Sequence, residues 1–148
     1  MLNNKIDFEG IKVLDMFSGT GSIGIEFISR GCKHCTAIEQ NEKHGAYIRK
    51  ACQELNIDNL TLYRTDVFKY INSCKAKFDV IFADPPYDME KLTEIPELIF
   101  TNDLLEEDGI LILEHSAKNH FEAHPNFSLH RNYGNVNFSF FEKRTALN

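Results

Sequence analysis

The sequence predicts a single α/β domain built on a mostly parallel open sheet, with antiparallel strands closing one edge. Three observations carry this. Short apolar strand patterns alternate with helical patterns between residues 11 and 115, which sets successive strands parallel. The first strand runs into a glycine-rich turn that opens a helix. The last two alternating segments flank Gly134-Asn135, a hairpin signal. With 148 residues and 43% hydrophobic content, residues 1–148 form one domain around one core.

Residues 11–15 read as a buried strand and residues 22–30 as a helix, with Ser22 as its cap, Ile23, Phe27 and Ile28 facing inward, and Gly31 as its stop. Residues 35–39 form a second strand ending in an acid. The following helix begins near Asn41 and presents Ile48, Ala51, Cys52 and Leu55 on one face, with Gly45 weakening its first turns. Residues 60–64 alternate like a third strand, and residues 67–71 form a short helix. The fourth strand, residues 78–83, must stop at Pro85-Pro86, since proline cannot continue the pairing. Residues 90–105 carry a helical pattern broken around Pro96, and residues 109–115 a fifth, strongly apolar strand. Residues 127–133 and 136–143 are the hairpin strands, and the polar stretch 116–126 is the one candidate linker.

In an open α/β sheet, ligands sit outside the carboxyl ends of the strands. Asp15, Glu39, Asp66 and Asp84 all fall there. One such acid alone is an ordinary cap or turn residue, but four in successive units indicate a shared crevice. Gly19, Gly21 and Gly24 have G-x-G-x-x-G spacing, with Glu39 about 20 residues beyond, which also fits a dinucleotide fingerprint. Asp15 separates the two readings. A carboxylate aimed at the loop repels a pyrophosphate and attracts an ammonium group. S-adenosylmethionine meets that demand, with an amine for Asp15, a carboxylate for the loop N–H groups and two ribose hydroxyls for Glu39.

Asp84-Pro85-Pro86-Tyr87 places a carboxylate, two rigid residues and an aromatic ring at a strand end. An exocyclic amine on a base is a poor nucleophile because its lone pair is delocalised into the ring. Asp84 and the Pro85 carbonyl can each accept an amine hydrogen, so that the lone pair points at a methyl donor. Tyr87 can stack on the base. Methyl transfer arranged this way needs no metal.

Asp15-Met16-Phe17-Ser18-Gly19-Thr20-Gly21 together with Asp84-Pro85-Pro86-Tyr87 resembles the class I, Rossmann-like methyltransferases that modify exocyclic amines. The wording around these motifs, including residues 26–31 and Arg131-Asn132-Tyr133-Gly134, is most similar to the bacterial small-subunit ribosomal RNA guanine-N2 methyltransferases, the RsmD family. The resemblance covers nearly the whole chain. It implies a seven-stranded sheet with an antiparallel last strand and helices on both faces. It also implies a place for each site residue. Asp15 and the loop residues Phe17, Ser18, Gly19, Thr20 and Gly21 lie near the methionine moiety of S-adenosylmethionine, Glu39 at the ribose, and Asp66 with Val67 at the adenine, with Gln40 also binding the cofactor. Asp84, Pro85, Pro86 and Tyr87 receive the guanine, with Asp84 bordering the cofactor. The family usually begins with a basic hairpin and helix, and this chain starts after most of them. The chain alone is therefore expected to bind cofactor yet methylate ribosomal RNA poorly.

A net charge of −6 argues against a wide basic surface, so a ribosomal RNA or small-subunit partner must be met locally. Lys118, Arg131, Lys143 and Arg144 are the candidates for a small patch. Cys32, Cys35, Cys52 and Cys74 are irregularly placed, and neither Cys32–Cys35 nor His120–His124 belongs to a zinc-finger spacing. Reduced thiols, no metal, no membrane segment, a cytoplasmic location and a monomer are expected. Competing functions are an adenine-N6 DNA methyltransferase, a nicotinamide-dependent oxidoreductase and a non-catalytic cofactor-binding or RNA-chaperone domain.

Overall fold

The computed structural model describes residues 7–143. Seven strands form one sheet in the order β3-β2-β1-β4-β5-β7-β6. They are β1 (Lys12–Asp15), β2 (His34–Ile38), β3 (Leu60–Tyr63), β4 (Phe78–Ala83), β5 (Leu105–His115), β6 (Phe127–Tyr133) and β7 (Val136–Glu142). Helices α1 (Ser22–Ser29), α2 (Glu42–Glu54), α3 (Val67–Ser73) and α4 (Ile95–Thr101) fill the connections, with a single 3₁₀ turn, Leu92–Glu94, before α4. The first five strands are parallel. β7 runs antiparallel to both β5 and β6. The strand that closes the edge is β6, because the hairpin at Gly134 (φ 63°) folds back and inserts β7 between β5 and β6.

Consecutive residues on each central strand enter opposite layers, which is why these strands read as continuous apolar runs. Leu14, Ile81, Leu111, Leu113 and Phe141 pack with Ile71 of α3 and Ile95 and Ile99 of α4. Val13, Val80, Ile110 and Ile112 pack with Phe27 of α1 and Cys35 of β2. Strand order reverses between β1 and β4, so a crevice opens at their carboxyl ends.

Several local expectations change. Gly21, in the left-handed region at φ 84°, occupies the cap position of α1, and no side chain caps that helix, so Ser22 is its first turn instead. A Cβ at Gly21 would lie 2.9 Å from Ile48 Cγ1, so the turn also lacks room for a side chain. Gly24 and Phe27 face the sheet and leave Ile23 40% exposed, since a neighbouring helix position points about 100° away. Asn41 caps α2 through its side chain, accepting from His44 N–H. Leu55 lies past the last turn of α2 and is 59% exposed rather than inward.

Pro96 opens α4 instead of breaking it, because a first-turn residue has no intrahelical N–H partner to lose. The helix ends at Thr101, and β5 begins already at Leu105. Its pairing with β4 shifts register between Phe78 and Val80, absorbed around Glu106, Glu107 and Asp108 (φ 63°). Lys12 forms an ion pair with Glu106 at this bulge.

Candidate active site

The site is assembled at the carboxyl ends of β1, β2 and β4. The chain leaving β1 is pinned by Met16 N–H donating to Phe82 O on β4 (2.9 Å) and Ser18 N–H donating to Ile38 O on β2 (3.0 Å). Gly21 N–H then closes a tight turn on Ser18 O (2.8 Å), and the Ser18 hydroxyl donates to Asp15 O (3.0 Å). Phe17 is half-buried against the core, Ser18 is buried and Thr20 is exposed. Gly19 has φ 56°, and a Cβ there would meet nothing within 4 Å, so open space lies above the loop. Gly24 has no room for a side chain. A Cβ would come within 3.1 Å of Cys35 Sγ and 3.4 Å of Asp15 Oδ2, so helix and strand pack at glycine distance.

Asp15 is 1% exposed, and its Oδ2 has no hydrogen-bond partner. Burial pushes its carboxyl up to about 7, against the lowering effect of hydrogen bonds from Ser18 and Gly24, and the negative charges of Asp84 and Glu39 push the same way. The carboxylate therefore sits enclosed beside the start of α1, rather than standing open in the crevice. Glu39 sits just past β2, with Oε1 accepting from Gly19 N–H (2.7 Å) and Oε2 from Asn41 N–H (2.8 Å). Glu39 thus holds the glycine loop from below, a role the sequence reading missed because it joins residues 20 positions apart. A carboxylate has about four acceptor positions, so hydroxyl groups can still be received. Gln40 is exposed, and its carbonyl accepts from Arg64 Nη2 (3.1 Å).

Asp66 caps α3, its Oδ2 accepting from Phe68 and Lys69 N–H (both 3.1 Å). Val67 opens that helix, so its N–H has no intrahelical partner. The single crevice of four carboxylates is thus narrower than expected. Asp15 feels the charges of both Asp84 and Glu39, while Asp66 serves a helix end on the adjoining side.

The turn after β4 exposes Asp84, buries the Pro85 ring and leaves Tyr87 43% exposed. The Tyr87 hydroxyl donates to Glu114 Oε2 (2.8 Å). Partial desolvation raises the Asp84 carboxyl to about 6, and the Glu114 carboxyl adds to the rise by its charge and a hydrogen bond. Sequence reasoning missed Glu114. The signal was available, since Glu114 is the acid near the carboxyl end of the fifth parallel strand, but a strand drawn through to His115 took it for part of the run.

The family model described as "Conserved hypothetical protein 95" matches residues 1–142. The chain belongs to this family, the RsmD family. Among curated RsmD relatives, ribosomal RNA small subunit methyltransferase D of Buchnera aphidicola subsp. Baizongia pistaciae is 32% identical over 116 residues, covering 76% of this chain and 59% of that protein. The Escherichia coli K12 protein of the same name is 27% identical over 119 residues, covering 80% and 60%. The chain spans about three fifths of the length of these relatives. A solved conserved hypothetical protein from Streptococcus pyogenes superposes with a TM-score of 0.81 at 25% identity, covering 91% of this chain and 87% of that one. The RsmD family member has the Rossmann-like class I methyltransferase fold.

Proposed function

We propose that this protein transfers a methyl group from S-adenosylmethionine to the exocyclic N2 amine of a guanine in small-subunit ribosomal RNA. The observation that carries the reading is the Asp84-Pro85-Pro86-Tyr87 turn standing directly beside the glycine loop, joined to it through the β1–β4 pairing. The names of the curated relatives supply the ribosomal RNA.

The residues present fit the methyl donor. The orphaned Oδ2 of Asp15 is a buried acceptor that favours a cationic neighbour, and the open space above Gly19 leaves room for the methionine moiety. Glu39 and Gln40 border the ribose, and Asp66 and the Val67 N–H the adenine. S-adenosylmethionine, when bound, would supply an electrophilic methyl group, the electron pair of its carbon–sulfur bond leaving with sulfur. Asp84 accepts one amine hydrogen and then its proton, the Pro85 carbonyl accepts the other hydrogen, and Tyr87 stacks on the base. Glu39→Ala is expected to weaken binding of the methyl donor by about 1.5 to 3 kcal/mol, the worth of hydrogen bonds to a charged group, as read by calorimetry. An unchanged Kd would remove Glu39 from the ribose site.

The partner is the small-subunit RNA, free or within an assembling particle, met by a monomer in the cytoplasm. Among the described residues no helix is long and apolar enough to cross a membrane. The small basic patch proposed from sequence is reduced. Lys143 is engaged by Asp103 (2.9 Å) and the Leu105 carbonyl (3.0 Å), while Lys118 and Arg131 are exposed and Arg144 lies outside the described residues. RNA affinity is thus expected to be low, and to rise with a steeper salt dependence when a basic N-terminal extension is appended. Equal affinity and salt slope without the extension would show that the domain carries its own RNA surface.

The deciding experiment incubates the protein, in excess, with labelled methyl donor and small-subunit RNA or particles lacking the modification, then maps the product by mass spectrometry. An N2-methylguanosine at one position is the expected result. Label on adenine N6, or none, would overturn the reading.

A further inference from the structure

We infer that Glu114 is a specificity-determining residue of this site, accepting the ring N1–H of guanine beside the N2 amine held by Asp84. The inference rests on the function proposed above and deepens it. Its basis is register. Ala83 on β4 pairs with Leu113 on β5 in parallel, so Asp84 and Glu114 follow side by side at the ends of adjacent strands. Parallel neighbours lie about 4.8 Å apart. Glu114 shares the sheet face of Ile110 and Ile112, four and two residues before it, as Asp84 shares that of Val80 and Phe82. The Glu114 carboxyl is also near enough to raise that of Asp84.

The remaining neighbours complete a place for a flat ring. Tyr87 is anchored to Glu114 Oε2, leaving Oε1 outside that bond. On the other side of Glu114, β7 places Phe138 directly opposite, and the exposed Tyr133 ring packs edge-on against Phe138 at 6.1 Å. Tyr87 and Phe138 thus stand next to Glu114, with Tyr133 packed against Phe138.

The Asp84 and Glu114 carboxyls together distinguish the bases. Guanine presents N1–H and the N2 amine next to each other, two donor groups for two carboxylates. Adenine presents its amine beside N1, which is an acceptor, so a second carboxylate there meets a lone pair instead of a hydrogen. A site built to receive a donor rejects an analogue that lacks it, because its own polar group is left unpaired. The chemistry therefore favours guanine over adenine at the same Asp-Pro-Pro-Tyr turn.

The test replaces the guanosine mapped by the experiment above with 2-aminopurine ribonucleoside, which keeps the N2 amine and carries an acceptor at ring N1. Single-turnover transfer is measured for the wild type, Glu114→Gln and Tyr87→Phe, with binding of the methyl donor checked by calorimetry. The wild type is expected to prefer guanosine by about tenfold or more. In Glu114→Gln, whose amide can donate or accept, that preference should shrink to within about threefold, through slower transfer to guanosine and faster transfer to 2-aminopurine. Tyr87→Phe should slow both substrates alike and keep the preference. If Glu114→Gln slows both substrates equally, or changes neither, Glu114 does not read N1 and the inference is overturned while the proposed function stands. If the wild type methylates no guanosine, that function falls and the inference with it.

Discussion

Asp84→Ala is expected to slow methyl transfer by about two to four orders of magnitude while leaving affinity for the methyl donor within about twofold, because the partner we propose for its carboxylate is the target amine. The geometry argues for so large an effect. Asp84 is exposed just past the end of β4, in register with Glu114 on the neighbouring strand. Asp84→Asn keeps an acceptor oxygen but cannot take the proton, so it should fall between alanine and the wild type. The pH profile adds a second readout. With the Asp84 carboxyl raised to about 6, the carboxylate that receives the amine hydrogen is lost as pH drops through that value. Transfer should therefore rise with pH up to about 6 and level off above it, and the Asn variant should lack this limb. An alanine variant that loses binding of the methyl donor and keeps its chemistry would reverse the assignment.

Much of this arrangement was legible from residue order, and the failures share a physical cause. β4 matched residue for residue because prolines end it sharply and the apolar run has no competing pattern. The hairpin was readable from Gly134, whose positive φ only glycine adopts freely. The early start of β5 was not readable, since Glu106, Glu107 and Asp108 form a bulge whose polar residues look like a loop. Within the site, local roles were visible and cross-strand ones were not. Asp84 and Tyr87 declared themselves by their neighbours in sequence. The bond between Tyr87 and Glu114, and that between Gly19 and Glu39, depend on which strands lie side by side. Asp15 stood out in sequence as a candidate site residue, but its enclosure under the loop follows from Gly24 and Ser18 packing around it. A strand-end acid looks the same in sequence whether it caps a helix, as Asp66 does, or faces the crevice.

Asp15→Asn is expected to make the ligand-free protein more stable and its binding of the methyl donor weaker. The folded protein raises the Asp15 carboxyl from 3.8 to about 7 by burial, so the native state holds this proton more tightly than the unfolded chain. Stability is then full below about pH 4, falls as pH rises, and reaches its floor above about pH 7. That interval corresponds to about 4 kcal/mol at most. The Asn variant removes the charged form altogether and should be more stable than the wild type at pH 8 by up to that amount, less the cost of an amide with an unmet partner. Asp84 contributes a smaller slope of the same sign, screened by its exposure, which Asp84→Asn measures separately. Urea unfolding at pH 4.5, 6 and 8 would show the wild-type curve descending and the Asp15→Asn curve flattened. Calorimetry at pH 8 would show the opposite preference for the methyl donor. In the proposed site the ammonium of S-adenosylmethionine is the cation that would make this buried carboxylate favourable, and losing the charge should weaken binding about tenfold to a hundredfold. The same desolvation thus lowers the stability of the ligand-free protein and strengthens the site for its cation. Parallel unfolding curves, or equal affinities in a folded variant, would show that Asp15 serves only to pack the start of α1.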